Sequence, residues 1–157
     1  MAYLAAWDVH RGQVTGRCEA TTGIAPFARL VGQVMTAEPY ASADRVFWIV
    51  DNGSSHRGTA SIKRIQKAWP NARLIHLPVH ASWLDQAEIY FSVVQRKVVT
   101  PNDFTDLGQI RDRLAAFQTR YNAVAKPFNW KFTRSDLDAL LDRIDAHEAQ
   151  RSGELAA

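Results

Sequence analysis

Asp51 and Glu88 are the residues whose types and setting could do chemistry. Asp51 closes a short apolar run, Val46-Phe47-Trp48-Ile49-Val50, and Glu88 sits early in a helical stretch that begins at about Ser82. A carboxylate leaving a buried strand can be held rigidly, and in open α/β sheets ligands bind beyond the C-terminal ends of the strands. Two carboxylates on rigid elements, with no thiolate beside them, suit a hard divalent cation such as Mg2+ or Mn2+. Two such ions about 3.5–4 Å apart can activate a water or a 3′-hydroxyl and stabilise the leaving oxygen in phosphodiester transfer. Each residue also has an ordinary reading. Asp51-Asn52-Gly53 is a turn signal in its own right, because Asn-Gly favours left-handed backbone. A Glu on an amphipathic helix is commonly a solvated surface residue. The pair carries the case, not either member.

Other groups are weaker. Asp8 is a strand-end carboxylate leading into a turn, which Asp favours. His56 could position a phosphate or a water, though a surface histidine is the commoner case. His76 and His80 have the spacing of a helical metal pair, but Pro78 lies between them, so loop histidines are expected. Arg57, Lys63, Arg64 and Lys67 would give one helix a basic face, fit for a DNA backbone and equally ordinary as a solvated surface. Ser54-Ser55-His56 lacks an Asp partner and a nucleophile elbow, which argues against serine hydrolysis. No phosphate-cradling glycine-rich motif is found.

These groups need a frame. Tyr3–Val9 and Gln13–Glu19 predict a β-hairpin about His10-Arg11-Gly12. Ile24, Phe27, Leu30, Val31 and Val34 have helical spacing, with Pro26 tolerable in the first turn. The run Val46–Val50 fits a strand buried on both faces of a parallel sheet. A helix from Gly58 to about Trp69 and a strand Arg73–Leu77 complete a parallel crossover unit. Beyond Ser82, a stripe of Leu84, Ala87, Phe91 and Val94 predicts a helix to about Val98. Thr105 is expected to cap the next, whose apolar set is Leu107, Ile110, Leu114, Phe117 and Tyr121. Ser135 is expected to cap a last helix facing Leu137, Leu140, Leu141 and Ile144 inward. The five tryptophans are expected in core or boundary packing. Residues 1–147 read as one domain and 148–157 as a frayed tail.

The 157 residues, 46% of them apolar and 22% charged, suffice for one domain with a real core. A net charge of +3 from an Arg-heavy basic set permits nucleic-acid binding without demanding it. Cys18 is the sole cysteine, which excludes an intrachain disulfide or a thiolate zinc cluster and favours a reducing compartment. Neither a signal peptide nor a membrane-spanning run is read, so a cytoplasmic protein without a membrane partner is expected.

The stretches Ile49-Val50-Asp51-Asn52-Gly53-Ser54-Ser55-His56 and Ser82-Trp83-Leu84-Asp85-Gln86-Ala87-Glu88 resemble the second and third signature blocks of DDE transposases of the insertion-sequence and mariner kind. The family pattern is a hydrophobic strand ending Asp-Asn with a nearby His, then a Leu-Asn-x-x-Glu block. Similarity continues through Gln95-Arg96-Lys97, Thr100-Pro101-Asn102-Asp103-Phe104 and Pro127-Phe128-Asn129-Trp130-Lys131-Phe132. The resemblance implies a ribonuclease H-like mixed sheet flanked by helices, with a helical C-terminal part. It implies Asp51 and Glu88 as the second and third catalytic carboxylates, ligands of two Mg2+ or Mn2+ ions. It implies DNA, as transposon ends and target, as partner, in a bacterial cytoplasm at the nucleoid. A homo-oligomer or an assembly with an intact transposase is a further expectation.

This chain departs from the pattern in two ways. Asp85 stands where the family usually has Asn, adding a negative charge beside Glu88. The family's first Asp lies on a strand upstream of the hairpin, and the chain opens at the hairpin. The expectation is a fold lacking its first strand, with unpaired edges on the neighbouring strands or a shifted hairpin. Low activity alone is expected too, or else a non-catalytic role in binding nucleic acid or oligomerising.

Overall fold

The computed structural model describes residues 1–78, 85–101, 103–129, 133–136, 138–139 and 141–143. The chain divides into two compact units, Met1–Pro127 and Phe128–Ala157. The first has the mixed α/β order of a ribonuclease H-like domain.

It begins with the antiparallel hairpin β1 (Ala2–Trp7) and β2 (Val14–Glu19), in register from Ala2 opposite Glu19 to Trp7 opposite Val14. Asp8 builds the turn: its Oδ1 accepts the backbone N–H of His10 at 2.8 Å and of Arg11 at 2.9 Å. Gly12 ends the turn at φ 68°, where a side chain would be strained. A Cβ there would also stand 2.2 Å from the Lys126 carbonyl carbon, so only glycine lets the two backbones meet.

Helix α1 (Ile24–Met35) carries Phe27, Leu30, Val31, Val34 and Met35 on its buried face, with Pro26 accepted in the first turn. Next come β3 (Val46–Val50), α2 (Gly58–Ala68) and β4 (Ala72–His76). β3 and β4 run parallel, from Val46 beside Ala72 to Val50 beside His76. Trp48, Val50, Ala72 and Leu74 meet Phe27, Val31, Val34, Met35 and Ile65 in one core.

Burial on both faces of β3, expected from its unbroken apolar run, is not what the structure has. Phe47 is 60% exposed, Ile49 50% and Ile75 45%. The pleat sends alternate side chains to opposite faces. Apolar composition says nothing about whether a second layer exists to meet them. The hairpin and the parallel pair are separate two-stranded sheets among the described residues. Helix α1 lies across both, touching β1 and β2 and filling the core of the parallel pair, with Ala6 at its margin.

A second core forms beneath the hairpin. Helix α3 (Ala87–Val94) continues into one π turn, Gln95–Val99, closed by Thr100 N–H donating to Gln95 O at 2.8 Å. Tyr90, Val94 and Val98 are its buried residues, packed with Val14 and Leu114. Val94 faces inward as expected, but Tyr90 takes the place of Phe91, which is 36% exposed, and Leu84 lies outside the described residues. Helix α4 (Leu107–Ala123) is capped by Asp106, not Thr105. Asp106 has the extended backbone a cap needs, and its Oδ1 accepts Gln109 N–H at 3.0 Å. Ile110, Leu114, Phe117 and Tyr121 pack inward as expected, whereas Leu107 is 58% exposed.

In the second unit the cap is Thr133 instead of Ser135. Thr133 N–H donates to Asp136 Oδ2 at 2.8 Å and Asp136 N–H returns to Thr133 Oγ1 at 3.3 Å, a capping box. Leu137, Leu140 and Ile144, expected inward on that helix, lie outside the described residues, as do the tail from 148 and Trp83, Trp130 and His80. Among the described residues no helix is long and apolar enough to cross a membrane.

Candidate active site

Asp51 follows directly on β3, at the C-terminal end of the parallel pair, and its side chain is 57% exposed. Its Oδ1 accepts the Gly53 N–H at 2.9 Å and lies 2.5 Å from His56 Nε2. An ionised carboxylate can only accept, so Nε2 carries the proton. His56 Nδ1, 2.9 Å from Ser55 Oγ, is then the acceptor for that hydroxyl in the neutral ring. Burial by itself would raise the Asp51 pKa. The hydrogen bonds from His56 and Gly53, with the charges of His56 and His76, outweigh it and hold the carboxyl below its ordinary value.

The glycine of Asp51-Asn52-Gly53 has a different reason from the expected one. Positive φ is found at Gly12, Gly23 and Gly58, not at Gly53. A Cβ at Gly53 would instead stand 2.9 Å from Asp51 Oδ1 and 3.0 Å from His56 Nε2, inside the contact between the two side chains. Glycine serves close approach here. Asn52 pins the loop from its other side, donating from Nδ2 to Leu77 O at 2.9 Å.

His56 is not a loose surface histidine; its side chain is 15% exposed. Its ring centroid lies 4.9 Å from that of Phe27 on α1. Its carbonyl oxygen accepts from His76 Nε2 at 2.6 Å and from the hydroxyl of buried Ser61. His76 is the last residue of β4 and not a loop histidine. Phe27, Ser61 and His76 come from three separate elements, and no local motif flags them as partners of the site.

Glu88 stands exposed in the first turn of α3. Asp85 precedes that helix and accepts the Ala87 N–H at 3.0 Å. Burial raises the Asp85 pKa above its ordinary value, and the negative charges of Glu88 and Asp51 push the same way, against the Ala87 bond and His56. Asp85 thus feels both Glu88 and Asp51. Its raised pKa is first the cost of burial, to which the neighbouring negative charges add.

Asp8 has other work. Besides the two turn N–H groups on Oδ1, its Oδ2 accepts the Tyr40 hydroxyl at 2.5 Å. Both oxygens are committed to the hairpin turn and to the segment after α1. Of the basic residues on α2, Lys63 and Lys67 are exposed, as is Arg57 before it, while Arg64 donates from Nη2 to Ser55 O at 3.3 Å. An open groove beside Glu88 is lined by Phe91, Ser92, Gln95 and Arg96.

Among the described residues no group of three or more His, Cys, Asp or Glu is arranged to hold a metal ion. The donor chemistry still fits a hard divalent cation. Mg2+ is commonly held by one or two carboxylates, with water and substrate phosphate filling the remaining positions. Asp51 and Glu88 are exposed carboxylates, donors of that kind.

An α/β domain with a carboxylate, Asp51, at the C-terminal end of a parallel pair is the class these features define. The DDE superfamily endonuclease family model matches residues 1–111, and the chain belongs to that family. Its members act on DNA and use divalent metal ions. Comparison with curated proteins and with solved structures gives no match.

Proposed function

We propose that this chain is a transposase catalytic domain that cleaves and rejoins DNA, with Asp51 and Glu88 as the ligands of its Mg2+ or Mn2+ ions. The observation that carries the reading is the match of residues 1–111 to an endonuclease family, with Asp51 held at the C-terminal end of β3 by His56 and Gly53. The bound cations would polarise the scissile phosphate and ease deprotonation of the attacking water or 3′-hydroxyl. The chain's own residues do the holding. His56 and Gly53 keep the Asp51 carboxyl ionised, with Oδ1 turned toward the loop and Oδ2 free of any hydrogen bond among the described residues. Arg96 and Gln95 in the groove beside Glu88, and Lys63 and Lys67 on α2, are available to phosphate oxygens.

Nicking of supercoiled plasmid in Mg2+ or Mn2+ tests this. The chain on its own is expected to nick slowly, because Asp8 spends both oxygens elsewhere and adds no third ligand. That residual nicking is expected to fall to background in Asp51→Asn and in Glu88→Gln. Robust nicking that survives both substitutions would overturn the assignment. DNA binding without nicking, indifferent to Mg2+ and to Asp51→Asn, would point instead to a non-catalytic binding or assembly role.

A further inference from the structure

We propose that His56 is a positioning residue for the metal ligand Asp51, holding one carboxylate oxygen so that the other faces an incoming cation. The inference rests on the reading of Asp51 as a ligand, and three observations carry it. The Nε2–H of His56 is spent on Oδ1 at 2.5 Å, while Oδ2 has no hydrogen-bond partner among the described residues. The ring is fixed on both sides, by Phe27 at 4.9 Å and by Ser55 Oγ at Nδ1. The backbone beneath it is fixed as well, since the His56 carbonyl takes hydrogen bonds from β4 through His76 and from α2 through Ser61.

A side chain that served only to fill space would not need partners at both ring nitrogens. This arrangement ties the carboxylate through one histidine, by its ring to helix α1 and by its backbone carbonyl to helix α2 and strand β4. Such outer partners orient a ligand before the ion arrives, and losing one commonly weakens metal binding by about 10–100-fold. Gly53 belongs to the same device, since any side chain there would intrude on the Asp51–His56 contact.

The test uses the full chain with Mn2+ as probe, titrated by the relaxation enhancement of water protons, and long-range 15N–1H NMR of the histidine rings. Asp51→Asn is expected to weaken Mn2+ binding at least tenfold. His56→Phe keeps a ring against Phe27 but no donor, and is expected to weaken binding about tenfold. His56→Gln restores an N–H at the Nε2 position and is expected to recover affinity to within about threefold. In the wild type the His56 ring is expected as the Nε2–H tautomer, with its nitrogen signals shifted in Asp51→Asn. Wild-type affinity in His56→Phe, with binding still lost in Asp51→Asn, would overturn the positioning role and leave Asp51 as a ligand. Equal weakening in His56→Phe and His56→Gln, or the Nδ1–H tautomer, would overturn it too. Unchanged binding in Asp51→Asn would remove the ligand assignment itself, and the positioning role with it. Thermal melts of each variant separate these outcomes from unfolding, and His56→Gln carries the test if His56→Phe does not fold.

Discussion

Around the hairpin, the edge of β2 is met by side chains from α4. Asn122 accepts the Val14 N–H at 2.9 Å and donates back to Val14 O at 2.8 Å, and one turn earlier Gln118 accepts the Gly16 N–H at 2.9 Å. Residues four apart on a helix share a face, so α4 reads the strand edge much as another strand would. Tyr90 is fully buried in the same core, with its hydroxyl 3.0 Å from that of Tyr3. Around the parallel pair, one face is packed and the other leaves Phe47, Ile49 and Ile75 exposed. Yet the parallel pair is the region that carries Asp51, on a loop locked by His56, Asn52 and Gly53. The hairpin therefore has its strand edge covered by α4, and the chemistry sits at the end of a sheet with one packed and one bare face. Asp51 is held by local hydrogen bonds and not by deep burial.

Three substitutions test that division. Tyr90→Ala is expected to cost about 3–5 kcal/mol, the usual loss for a fully buried aromatic, measured by denaturant unfolding followed by circular dichroism. A cost below about 1 kcal/mol would show that the hairpin core contributes little to stability. Asn122→Ala removes both side-chain bonds to Val14 and is expected to cost about 1–3 kcal/mol, because the Val14 backbone groups lose their partners. Hydrogen exchange at the Val14 amide should speed up with it. Ile49→Thr keeps a β-branched residue on β3 and is expected to change stability by less than about 0.5 kcal/mol. A loss near that of a core residue would show that this face is covered, and would erase the contrast between the halves.

How much of this was legible beforehand depends on the range of the interaction. Helix α1 and strand β3 fall where the periodicity placed them, Ile24–Met35 and Val46–Val50, because each is set by its own apolar spacing. The parallel pairing of β3 with β4 followed from the intervening helix. Finer local choices were missed where two neighbours compete. Thr105 and Asp106 can both cap, and the backbone at Asp106 decides. On α3 the spacing points to Phe91, but Tyr90 is equally large and aromatic, and only the packing partners distinguish them. Asn-Gly points to a left-handed turn at Gly53, whereas its reason in the structure is the closeness of Asp51 and His56.

What the sequence determined by itself is the set of elements and the acidic residues at their ends, since strand and helix periods and the residue pattern around Asp51 and Glu88 are local properties. Tertiary structure alone decided that Asp8 is consumed by Tyr40 and its own turn, that Asp85 feels both other carboxylates, and that His56 is clamped by Phe27, Ser61 and His76. Those facts join residues from distant parts of the chain. Hydrogen bonds and charge–charge effects act over a few ångströms of space, and no pattern along the chain reports which side chains folding will bring within that reach.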